Sequence, residues 1–422
     1  MKLQKIVKHL QKLHPKEIDL SLDRTKYLLN KLGNPQDQID CISVVGTNGK
    51  FSTIQAVYAI LKEANYNCNI YTSPHIQKIN ERFVFNNLPL TDNELVNLFS
   101  EIEEINNGIQ ITFFEILTVA YLHYAKKYPE NINLIESGLF HRFDATNILK
   151  KNLASIVTTI GLDHLDWLPK KERTIEKIIF EKTSTLLNSK IIVAKQSSNE
   201  IIKIIENTIK NNSSKKIIFN KNYNFISKDN DFFYFEDEFG GLKLPKPNLP
   251  GKFQLENIAT AIATVRQLTN YKITDKHIIS SITKIESIAR LQELKSGKLK
   301  DLSKNNLLFV DGSHNPLGAK VLNEYLQSLN CNKHIILGMM ANKDHNEYIS
   351  YFKNISSLTT IDIPNQPNSI KGNKLKYKIK NFKNVNYEDS IEKAIMSIDL
   401  QENDIILITG SLYLAGEVLN LN

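Results

Sequence analysis

The sequence predicts an α/β protein of two domains, each built around a mostly parallel β-sheet. At 422 residues, with 41% hydrophobic and 23% charged residues, the chain is longer than an ordinary single domain and can bury two cores. Runs of β-branched apolar residues alternate with stretches whose apolar residues recur at helical spacing, a pattern typical of strands joined by crossover helices. We expect the first domain to span residues 1–290 and the second to span residues 291–422.

The first domain is organised around Cys41 to Thr53, where an apolar strand runs through a Gly-Lys turn into a helix. The β-branched run Ile42 to Val45 favours the strand. The helix is indicated by an apolar stripe at Ile54, Val57, Tyr58 and Leu61. The first amides of a helix lack partners in the chain, and glycines let them surround a phosphate while Lys50 adds a positive charge. The turn has the outline of a nucleoside triphosphate site, although a plain connection is the alternative.

The charge and the cysteines argue against several other classes of protein. The formal net charge is +8, but the lysines are interleaved with acidic residues, as on a solvated surface that attracts anionic substrates. Cys41, Cys68 and Cys331 have no metal-binding spacing and are expected as buried thiols in a reducing compartment. The N-terminal stretch lacks the continuous apolar core of a signal peptide or membrane span. We expect a cytoplasmic protein, monomeric, with neither nucleic acid nor membrane as a partner.

The remaining elements follow from the same patterns. A helix from Leu3 to Leu13 ends before Pro15, and a second helix runs through Tyr27 towards Gly33. Further strands of the first domain are predicted at Cys68 to Tyr71, Asn133 to Ile135 and Ser155 to Ile160, with a hairpin in Tyr223 to Glu238. Its further helices are predicted at Ile116 to Tyr124, Thr174 to Glu181 and Gln254 to Leu268, with another between two strands in Lys190 to Asn220. In the second domain we expect strands at Leu307 to Val310, Ile335 to Gly338 and Ile405 to Thr409, and a helix near Leu317 to Leu329.

Polar side chains follow three predicted strands of the first domain. These are Ser73, Glu136 and His164. Ligands of open α/β sheets collect where the carboxyl ends of parallel strands meet, and Mg²⁺ prefers hard oxygen ligands beside the phosphates that it bridges. Each residue also has an ordinary structural explanation, since prolines are common in turns and a lone histidine is usually a satisfied surface or core residue.

The loop GTNGKFST at residues 46–53 resembles the G-T-N-G-K-G-S loop of the folylpolyglutamate synthase and dihydrofolate synthase family, in the Mur ligase superfamily. Other segments resemble that family in the same order along nearly the whole chain: DLSL at 19–22, TSPH at 72–75, TFFE at 112–115, ESGLFHRFDATN at 136–147, LDHLD at 162–166, EK at 181–182, QLEN at 254–257, IARLQEL at 288–294, DGSHNP at 311–316, MMANKD at 339–344 and TGSLY at 409–413. The resemblance implies the Mur ligase architecture, in which a P-loop ATPase domain precedes a smaller Rossmann-like domain.

The resemblance also implies the residues of an ATP and metal site. The expected ATP-binding residues are Gly46, Thr47, Asn48, Gly49, Lys50, Ser52, Thr53, Asn257, Arg290, Asp311 and His314. The expected metal ligands are Ser73, Glu136, His164 and a carbamylated Lys182, for which an unmodified surface lysine is the alternative. The expected catalytic residues are Lys50, Glu136, His164, Lys182 and Arg290. The implied cofactors are ATP, two Mg²⁺ ions and a monovalent cation.

A pterin and folate site is implied as well. Its expected residues are Asp19, Leu20, Ser21, Leu22, Phe114, Glu115, Arg142 and Asp144. The sequence departs from the family at four places, with Phe51, the pair Phe140 and His141, and Ala289 where the family has glycine, and with Thr183-Ser184 where it has Ala-Gly. We expect the loop to tolerate Phe51 because a side chain is compatible with the start of a helix, whereas Phe140 and His141 are expected to narrow the pocket or redirect Arg142.

The implied function is a bifunctional dihydrofolate synthase and folylpolyglutamate synthase. Such an enzyme uses ATP to join L-glutamate to dihydropteroate or to a tetrahydrofolate through an acyl phosphate. A folylpolyglutamate synthase alone is one alternative, and another Mur-type amino-acid ligase is a second, although only some forty residues precede the loop, too few for a nucleotide-sugar domain. A nucleotide-dependent binding or switch protein is a third alternative, suggested by Phe51, Phe140 and His141.

Overall fold

The computed structural model describes residues 2–14, 19, 21–227, 231–380, 382 and 384–422. The chain forms two compact units, of which the first comprises residues 1–246 and 256–285 and the second comprises residues 247–255 and 286–422. The assignment of an ATP-binding domain to residues 1–290 and of a ligase domain to residues 291–422 stays a prediction.

The first unit alternates strands and helices along the sequence. Its strands are β1 Asp40–Val45, β2 Cys68–Tyr71, β3 Val84–Phe85, β4 Leu88–Pro89, β5 Ile132–Glu136, β6 Ala154–Val157, β7 Lys190–Val193, β8 Lys215–Ile218, β9 Tyr223–Ile226, β10 Phe232–Asp237 and β11 Gly240–Pro245. Its helices are α1 Lys2–Leu13, α2 Asp23–Lys31, α3 Lys50–Glu63, α4 Asp92–Asn106, α5 Phe113–Ala125, α6 Ile175–Thr183, α7 Asn199–Thr208, α8 Lys252–Arg266 and α9 Asp275–Ser281, the first residues of α8 being assigned to the second unit.

The main sheet of the first unit brings the predicted strand ends to one edge. Its strand order over the described residues is β4-β3-β2-β5-β1-β6-β7-β8, and the pairs from β2 to β8 are parallel. The register aligns Val44 with Glu136 and Val45 with Val157. The chain therefore leaves β1, β2, β5 and β6 side by side, and the segments after these strands share one edge of the sheet.

Apolar side chains pack on this sheet in two clusters. One includes Cys41, Tyr71 and Ile135 with side chains of α1, α2, α4 and α5. The other includes Val157 and Val193 with side chains of α6 and α7. The sheet is thus sandwiched between helices, as expected for strands that read as nearly continuous apolar runs.

The predicted hairpin is part of a three-stranded antiparallel sheet with the order β11-β10-β9. Its third strand, β11, was missed because it begins with two glycines and ends with Pro245, residues that count against a strand interior.

The second unit is a smaller α/β fold. Its strands are β12 Gln292–Glu293, β13 Leu307–Val310, β14 Lys333–Leu337, β15 Ser357–Ile361, β16 Val385–Glu388 and β17 Ile405–Thr409. Its helices are α10 Lys298–Leu302, α11 Pro316–Gln327, α12 His345–Ser350, α13 Gly372–Lys378, α14 Ile391–Met396 and α15 Leu412–Leu421. The strand order is β12-β13-β17-β14-β15-β16, and every pair except β12 with β13 is parallel. These sheets confirm the predicted α/β class. Over the part of the chain described, no helix has the length and apolarity needed to cross a bilayer.

Candidate active site

The loop between β1 and α3 requires glycine at two positions. Gly46 has φ of +145° and Gly49 has φ of +89°, values that side-chain-bearing residues rarely adopt. A Cβ on Gly46 would lie 2.0 Å from Thr158 Oγ1, and one on Gly49 would lie 2.5 Å from Asn257 Oδ1. The loop backbone is thus packed closely against Thr158, which directly follows β6, and against Asn257 of α8, a predicted ATP-binding residue.

Hydrogen bonds to the segment after β6 hold the loop in place. The amides of Thr47 and Asn48 donate to the carbonyl of Thr159 at 3.0 and 3.1 Å. Thr47 Oγ1 donates to the Gly161 carbonyl at 3.0 Å and accepts from the Gly161 amide at 3.1 Å. Thr47 and Asn48 therefore fix the path of the loop through their backbone, and their contact with ATP stays a prediction. The anchor at Thr159 was missed because a carbonyl acceptor leaves no signal in the sequence.

The start of α3 completes the loop. Ser52 and Thr53 are buried in the first turn of the helix, and Phe51 lies within the helix, as expected. Thr53 Oγ1 is buried without a hydrogen-bond partner among the described residues. An unsatisfied buried hydroxyl costs about 1–3 kcal/mol, and the contact of Thr53 with ATP stays a prediction.

Lys50, Glu136 and Ser73 meet at the edge of the sheet. Lys50 Nζ lies 3.6 Å from Glu136 Oε1 and 3.4 Å from the carbonyls of Gly46 and Thr47. The amide of Ser73 donates to Glu136 Oε2 at 3.1 Å. Ser73 and Glu136, two of the three residues expected after strands, thus meet beside Lys50, and the place of His164 with them stays a prediction.

Lys182 is buried in α6 beside the same loop. Its Nζ donates to the carbonyls of Gly46 at 3.0 Å and Leu139 at 2.6 Å, and the side chain is not on the surface as the alternative interpretation had it. Burial, reinforced by the charge of Lys50, lowers the pKa of Lys182 to about 7. A large fraction of this amine is therefore uncharged at neutral pH.

His164 follows β6 in a left-handed backbone conformation with φ of +58°. Its amide donates to Asp163 Oδ1 at 2.9 Å, and its Nε2 lies 3.8 Å from Asp163 Oδ2. The ring of Phe140 lies 6.4 Å from the His164 ring and 5.6 Å from Lys182 Nζ. The apolar Phe140 ring thus lies near both His164 and Lys182, two predicted metal ligands.

The segment after β5 is organised by Asp144. Its Oδ2 accepts from the amides of Gly138 and Leu139 at 2.9 and 3.1 Å, and its Oδ1 accepts from Thr146 Oγ1 at 2.6 Å. Burial raises the pKa of Asp144. The structure gives this residue a role in shaping the loop, and a direct substrate contact stays a prediction.

His141 is buried in the same segment. Burial, together with the charge of Lys182, lowers its pKa to about 4, so the imidazole is neutral at physiological pH. Its Nδ1 lies 3.1 Å from Ser137 Oγ. The side chain is therefore part of the packed interior of the segment.

Arg142 is held by a carboxylate that the sequence analysis did not single out. Its Nε donates to Glu181 Oε2 at 2.8 Å, and Nη2 donates to Glu181 Oε1 at 2.7 Å. The rings of Phe143 and Phe180 lie 4.1 and 5.5 Å from the guanidinium carbon. This bidentate pair raises the pKa of Arg142 and fixes the direction of its guanidinium.

The predicted pterin residues are joined by Arg24. Its Nη1 lies 3.0 Å from Asp19 Oδ2, and its Nε and Nη2 donate to Glu115 at 3.2 and 3.1 Å. Glu115 also caps α5, accepting from the Thr112 amide at 2.7 Å. Arg24 was missed because its two partners are far apart in sequence. Leu20 lies outside the described residues.

Other predicted pterin residues lie near these groups. Ser21 Oγ donates to Asp23 Oδ2 at 3.2 Å, and Leu22 directly precedes α2. A Cβ on Gly138 would lie 3.1 Å from Phe114 Cζ, so the Phe114 ring packs against the segment that Asp144 organises.

In the second unit, Arg290 is flanked by strained backbone. Ala289 and Leu291 both have φ of +53°, and Arg290 Nη1 donates to the Ala289 carbonyl at 3.0 Å. A Cβ on Gly312 would lie 3.2 Å from Arg290 Nη1. The arginine is therefore held against the segment that follows β13.

Asp311 organises that segment. Its carboxylate accepts from the amides of Leu291 at 2.6 Å and Ser313 at 2.7 Å, and burial raises its pKa although Arg290 opposes the shift. His314 Nδ1 lies 3.1 Å from the Gly312 carbonyl. The structure thus connects Asp311 to the backbone around Arg290, and the ATP contacts of these residues stay predictions.

The chain matches known families over most of its length. The family model of the Mur ligase middle domain matches residues 44–265, and that of the Mur ligase glutamate ligase domain matches residues 298–412. The chain is 29% identical over 442 aligned residues to the dihydrofolate synthase/folylpolyglutamate synthase of Buchnera aphidicola subsp. Acyrthosiphon pisum, a match that covers 98% of this chain and 97% of that protein.

Solved structures agree with these matches. The structure of Escherichia coli FolC in complex with DHPP and ADP has a TM-score of 0.86 and 27% identity, and the match covers 99% of this chain and 97% of that chain. The bifunctional folylpolyglutamate synthase/dihydrofolate synthase of Yersinia pestis, complexed with AMPPNP and a Mn ion, has a TM-score of 0.86 over 99% of this chain and 97% of that chain. At 24% identity, that second match shows the fold alone.

Proposed function

The chain belongs to the Mur ligase family, and from this premise we propose that it is a bifunctional dihydrofolate synthase and folylpolyglutamate synthase. It joins L-glutamate to dihydropteroate or to a reduced folate, and it converts ATP to ADP and phosphate. The observation that carries the proposal is the meeting of Lys50, Glu136, Ser73 and Lys182 around a glycine loop. Similarity to enzymes of this name over nearly the whole chain supports the choice of substrates.

The reaction begins by activating a carboxylate, which is a poor acyl donor. One carboxylate oxygen of the pteroate or folate attacks the γ-phosphorus of ATP, and ADP leaves. The glutamate amine then attacks the acyl carbon of the acyl phosphate, loses a proton and releases phosphate. Lys50 lies at the mouth of the loop, where its charge stabilises the transferring phosphoryl group.

The residues present fit a divalent cation beside the phosphates. Glu136 supplies a carboxylate and Ser73 a hydroxyl, and Mg²⁺ in phosphoryl-transfer sites commonly takes only one or two carboxylates and completes its shell with phosphate and water. Among the described residues, no group of three or more His, Cys, Asp or Glu side chains could hold a metal by itself, in keeping with this sparse ligand set. We assign Ser73, Glu136, His164 and carbamylated Lys182 to two Mg²⁺ ions, which when bound would neutralise charge on the transferring phosphate.

Carbamylation of Lys182 is supported by its surroundings. Carbon dioxide reacts with an uncharged amine, and burial lowers the pKa of Lys182 to about 7. The resulting carbamate replaces the buried amine of Lys182 with a carboxylate-like group, whose oxygen atoms suit a magnesium site better than an amine does. A gain in mass corresponding to one carbon dioxide on the native protein, lost in Lys182→Ala, tests the assignment, and partial rescue of Lys182→Ala by short carboxylates tests the role as a ligand.

The pterin site is assigned to the region around Phe114 and the Asp19 segment. The Phe114 ring offers a flat apolar wall beside Gly138, and Arg24 ties Asp19 to the start of α5. A stacked ring and a fixed carboxylate suit a heterocycle with amide and amine groups.

Phosphate release tests the whole proposal. Wild-type protein is incubated with ATP, L-glutamate and either dihydropteroate or tetrahydrofolate, with each substrate omitted in turn as a control. We expect release that depends on all three substrates, and products that are heavier by one glutamyl unit. Phosphate release with tetrahydrofolate but not with dihydropteroate would reduce the assignment to folylpolyglutamate synthase. Phosphate release that is the same with and without a pterin substrate would contradict the proposal.

A further inference from the structure

Three polar side chains form a hydrogen-bonded row at the amino-terminal edge of the second unit's sheet. Asp404 directly precedes β17, His334 lies near the start of β14, and Ser357 begins β15. These strands are neighbours in the order β17-β14-β15, and the register pairs His334 with Ser357 on one side and with Ile406 on the other. The register of the three strands therefore brings these three side chains side by side.

The hydrogen bonds give each side chain one chemical role. His334 Nε2 lies 3.1 Å from Asp404 Oδ2, and His334 Nδ1 lies 2.8 Å from Ser357 Oγ. An ionised carboxylate only accepts hydrogen bonds, so the imidazole proton belongs on Nε2, and the Nδ1 lone pair accepts the hydroxyl proton of Ser357. This is the order of roles in a Ser-His-Asp triad, with the two ring nitrogens exchanged.

The row is rigid at one end and open at the other. Asp404 and His334 are buried, and although burial opposes ionisation of Asp404, hydrogen bonds from the Gln401 amide and from His334 lower its pKa. The Gln401 amide donates to Asp404 Oδ2 at 2.8 Å. Ser357 is half-buried, and both Ser357 and His334 line a cavity of about 370 Å³. A nucleophile can therefore meet a small molecule there.

The lining of the cavity limits what that molecule can be. The cavity is near the lower end of the usual size range for small-molecule sites. Asn332, Asn386 and Gln401 supply amide groups to its wall, Asp399 supplies a carboxylate, and the described lining contains no lysine or arginine. The wall therefore carries a negative charge and uncharged polar groups, and it disfavours an anionic substrate.

We propose that Ser357 is a second, independent nucleophile of this protein, which reacts with small uncharged acyl esters with His334 as general base and Asp404 as a positioning residue. The Ser357 hydroxyl attacks the ester carbonyl and gives its proton to His334 Nδ1. The alkoxide then leaves and takes that proton, and the acyl group stays on Ser357 Oγ. Water attacks the acyl-serine, its proton passes through Nδ1 to Ser357 Oγ, and the carboxylic acid is released.

Covalent labelling tests the nucleophile directly. The full-length wild-type protein is treated with a fluorophosphonate probe, from which serine displaces fluoride, and the modified residue is located by peptide mass spectrometry. We expect one adduct on Ser357, none in Ser357→Ala, and an adduct of undiminished yield in Ser356→Ala, the matched control on the same cavity wall. An adduct at another serine, or no adduct, overturns the proposal.

Labelling rates separate activation by the imidazole from mere exposure of the serine. His334→Gln should label at least ~100-fold more slowly, the lower end of the usual general-base contribution, and Asp404→Asn should also label more slowly. Circular dichroism confirms that each variant is folded. A labelling rate in folded His334→Gln equal to that of the wild type overturns the role of His334.

Turnover tests the substrate class. Wild-type protein should hydrolyse p-nitrophenyl acetate faster than Ser357→Ala does. The wild type should also hydrolyse this ester faster than the anionic p-nitrophenyl hemisuccinate. Equal rates of p-nitrophenyl acetate hydrolysis in wild type and Ser357→Ala overturn the esterase activity. Lys50→Ala should lose ligation and keep labelling at Ser357. A failure of this inference is therefore distinguishable from a failure of the proposed ligase function.

Discussion

Titration of Lys182 should make the stability of the first unit depend on pH. The pKa of this buried amine is about 7 in the folded chain, compared with an ordinary value of 10.5. Between these values the unfolded chain binds one proton more than the folded chain, so the free energy of unfolding rises with pH. The expected slope is about 1.4 kcal/mol per pH unit, and the full difference over the interval is about 5 kcal/mol.

The measurement is urea unfolding of wild type and Lys182→Met at several pH values from 7 to 10, in buffer freed of carbon dioxide. Trp167, the single tryptophan, reports on the first unit through its fluorescence, and circular dichroism provides a second probe. Loss of the hydrogen bonds to Gly46 and Leu139 lowers the stability of the variant by an amount that does not depend on pH. The difference in unfolding free energy, wild type minus variant, should therefore increase with pH at the slope given above.

Bicarbonate provides the internal control. Only the folded chain holds the carbamate, because the amine of the unfolded chain is protonated in this range, so bicarbonate should raise the unfolding free energy of the wild type and leave that of Lys182→Met unchanged. Equal slopes for wild type and variant in carbon dioxide-free buffer would refute the argument, because they would mean that the amine keeps its ordinary pKa despite its burial.

Three further predictions follow from the loop and the pterin segment. Lys50→Ala should abolish glutamate-dependent phosphate release because it removes the ammonium of the loop, and it should also lower the urea midpoint because Lys50 is largely buried 3.6 Å from the Glu136 carboxylate. Circular dichroism checks that the variant is folded, and substantial residual turnover would disprove the role of Lys50. Gly46→Ala should destabilise the protein by more than 3 kcal/mol, roughly the scale of severe steric and backbone strain. Gly33→Ala is the control: Gly33 is also at positive φ, but nothing lies within 4 Å of the added carbon, so the change should cost only about 1 kcal/mol. Similar urea midpoints for the two variants would contradict the packing of Gly46 against Thr158. If one pocket serves glutamate addition to both dihydropteroate and folate, dihydropteroate should competitively inhibit folate elongation, and non-competitive inhibition would indicate separate pockets. Asp19→Ala should reduce glutamate addition to dihydropteroate more than addition to folate, as measured by product mass.

The strand ends were predictable because parallel strands impose a common direction. A polar residue after an apolar strand must emerge at the same edge as the residues after neighbouring strands, so the meeting of Ser73 and Glu136 beside Lys50 follows from sequence order and sheet class. The chemistry of Lys182 was less accessible. Its position in a motif was visible in the sequence, but its pKa depends on burial that only packing creates.

The ion pairs could not be predicted, because each joins segments that are distant in sequence. Arg24 meets Glu115, and Arg142 meets Glu181, only after the helices have packed. Charged residues are common on solvated helix faces, and nothing in the spacing of these four distinguishes them from ordinary surface charges. The bonds from Thr47 and Asn48 to Thr159 were hidden for a different reason, since backbone acceptors are the same in every residue.

The positions where this chain carries a side chain in place of a family glycine differ in what they demand of the backbone. Phe51 lies within α3 and Phe140 has φ of −117°, conformations open to any residue. The Phe140 side chain packs in the apolar core, and its effect on the pocket or on Arg142 stays a prediction. Ala289 differs, because its φ of +53° lies in the left-handed region, which costs a residue with a Cβ about 1–2 kcal/mol. Leu291 carries the same strain on the other side of Arg290. Strained backbone persists only where its surroundings enforce it. The bond from the Leu291 amide to Asp311 makes this carboxylate one of the groups that hold the backbone around Arg290, together with the bond from the Gly312 amide to the Ala289 carbonyl.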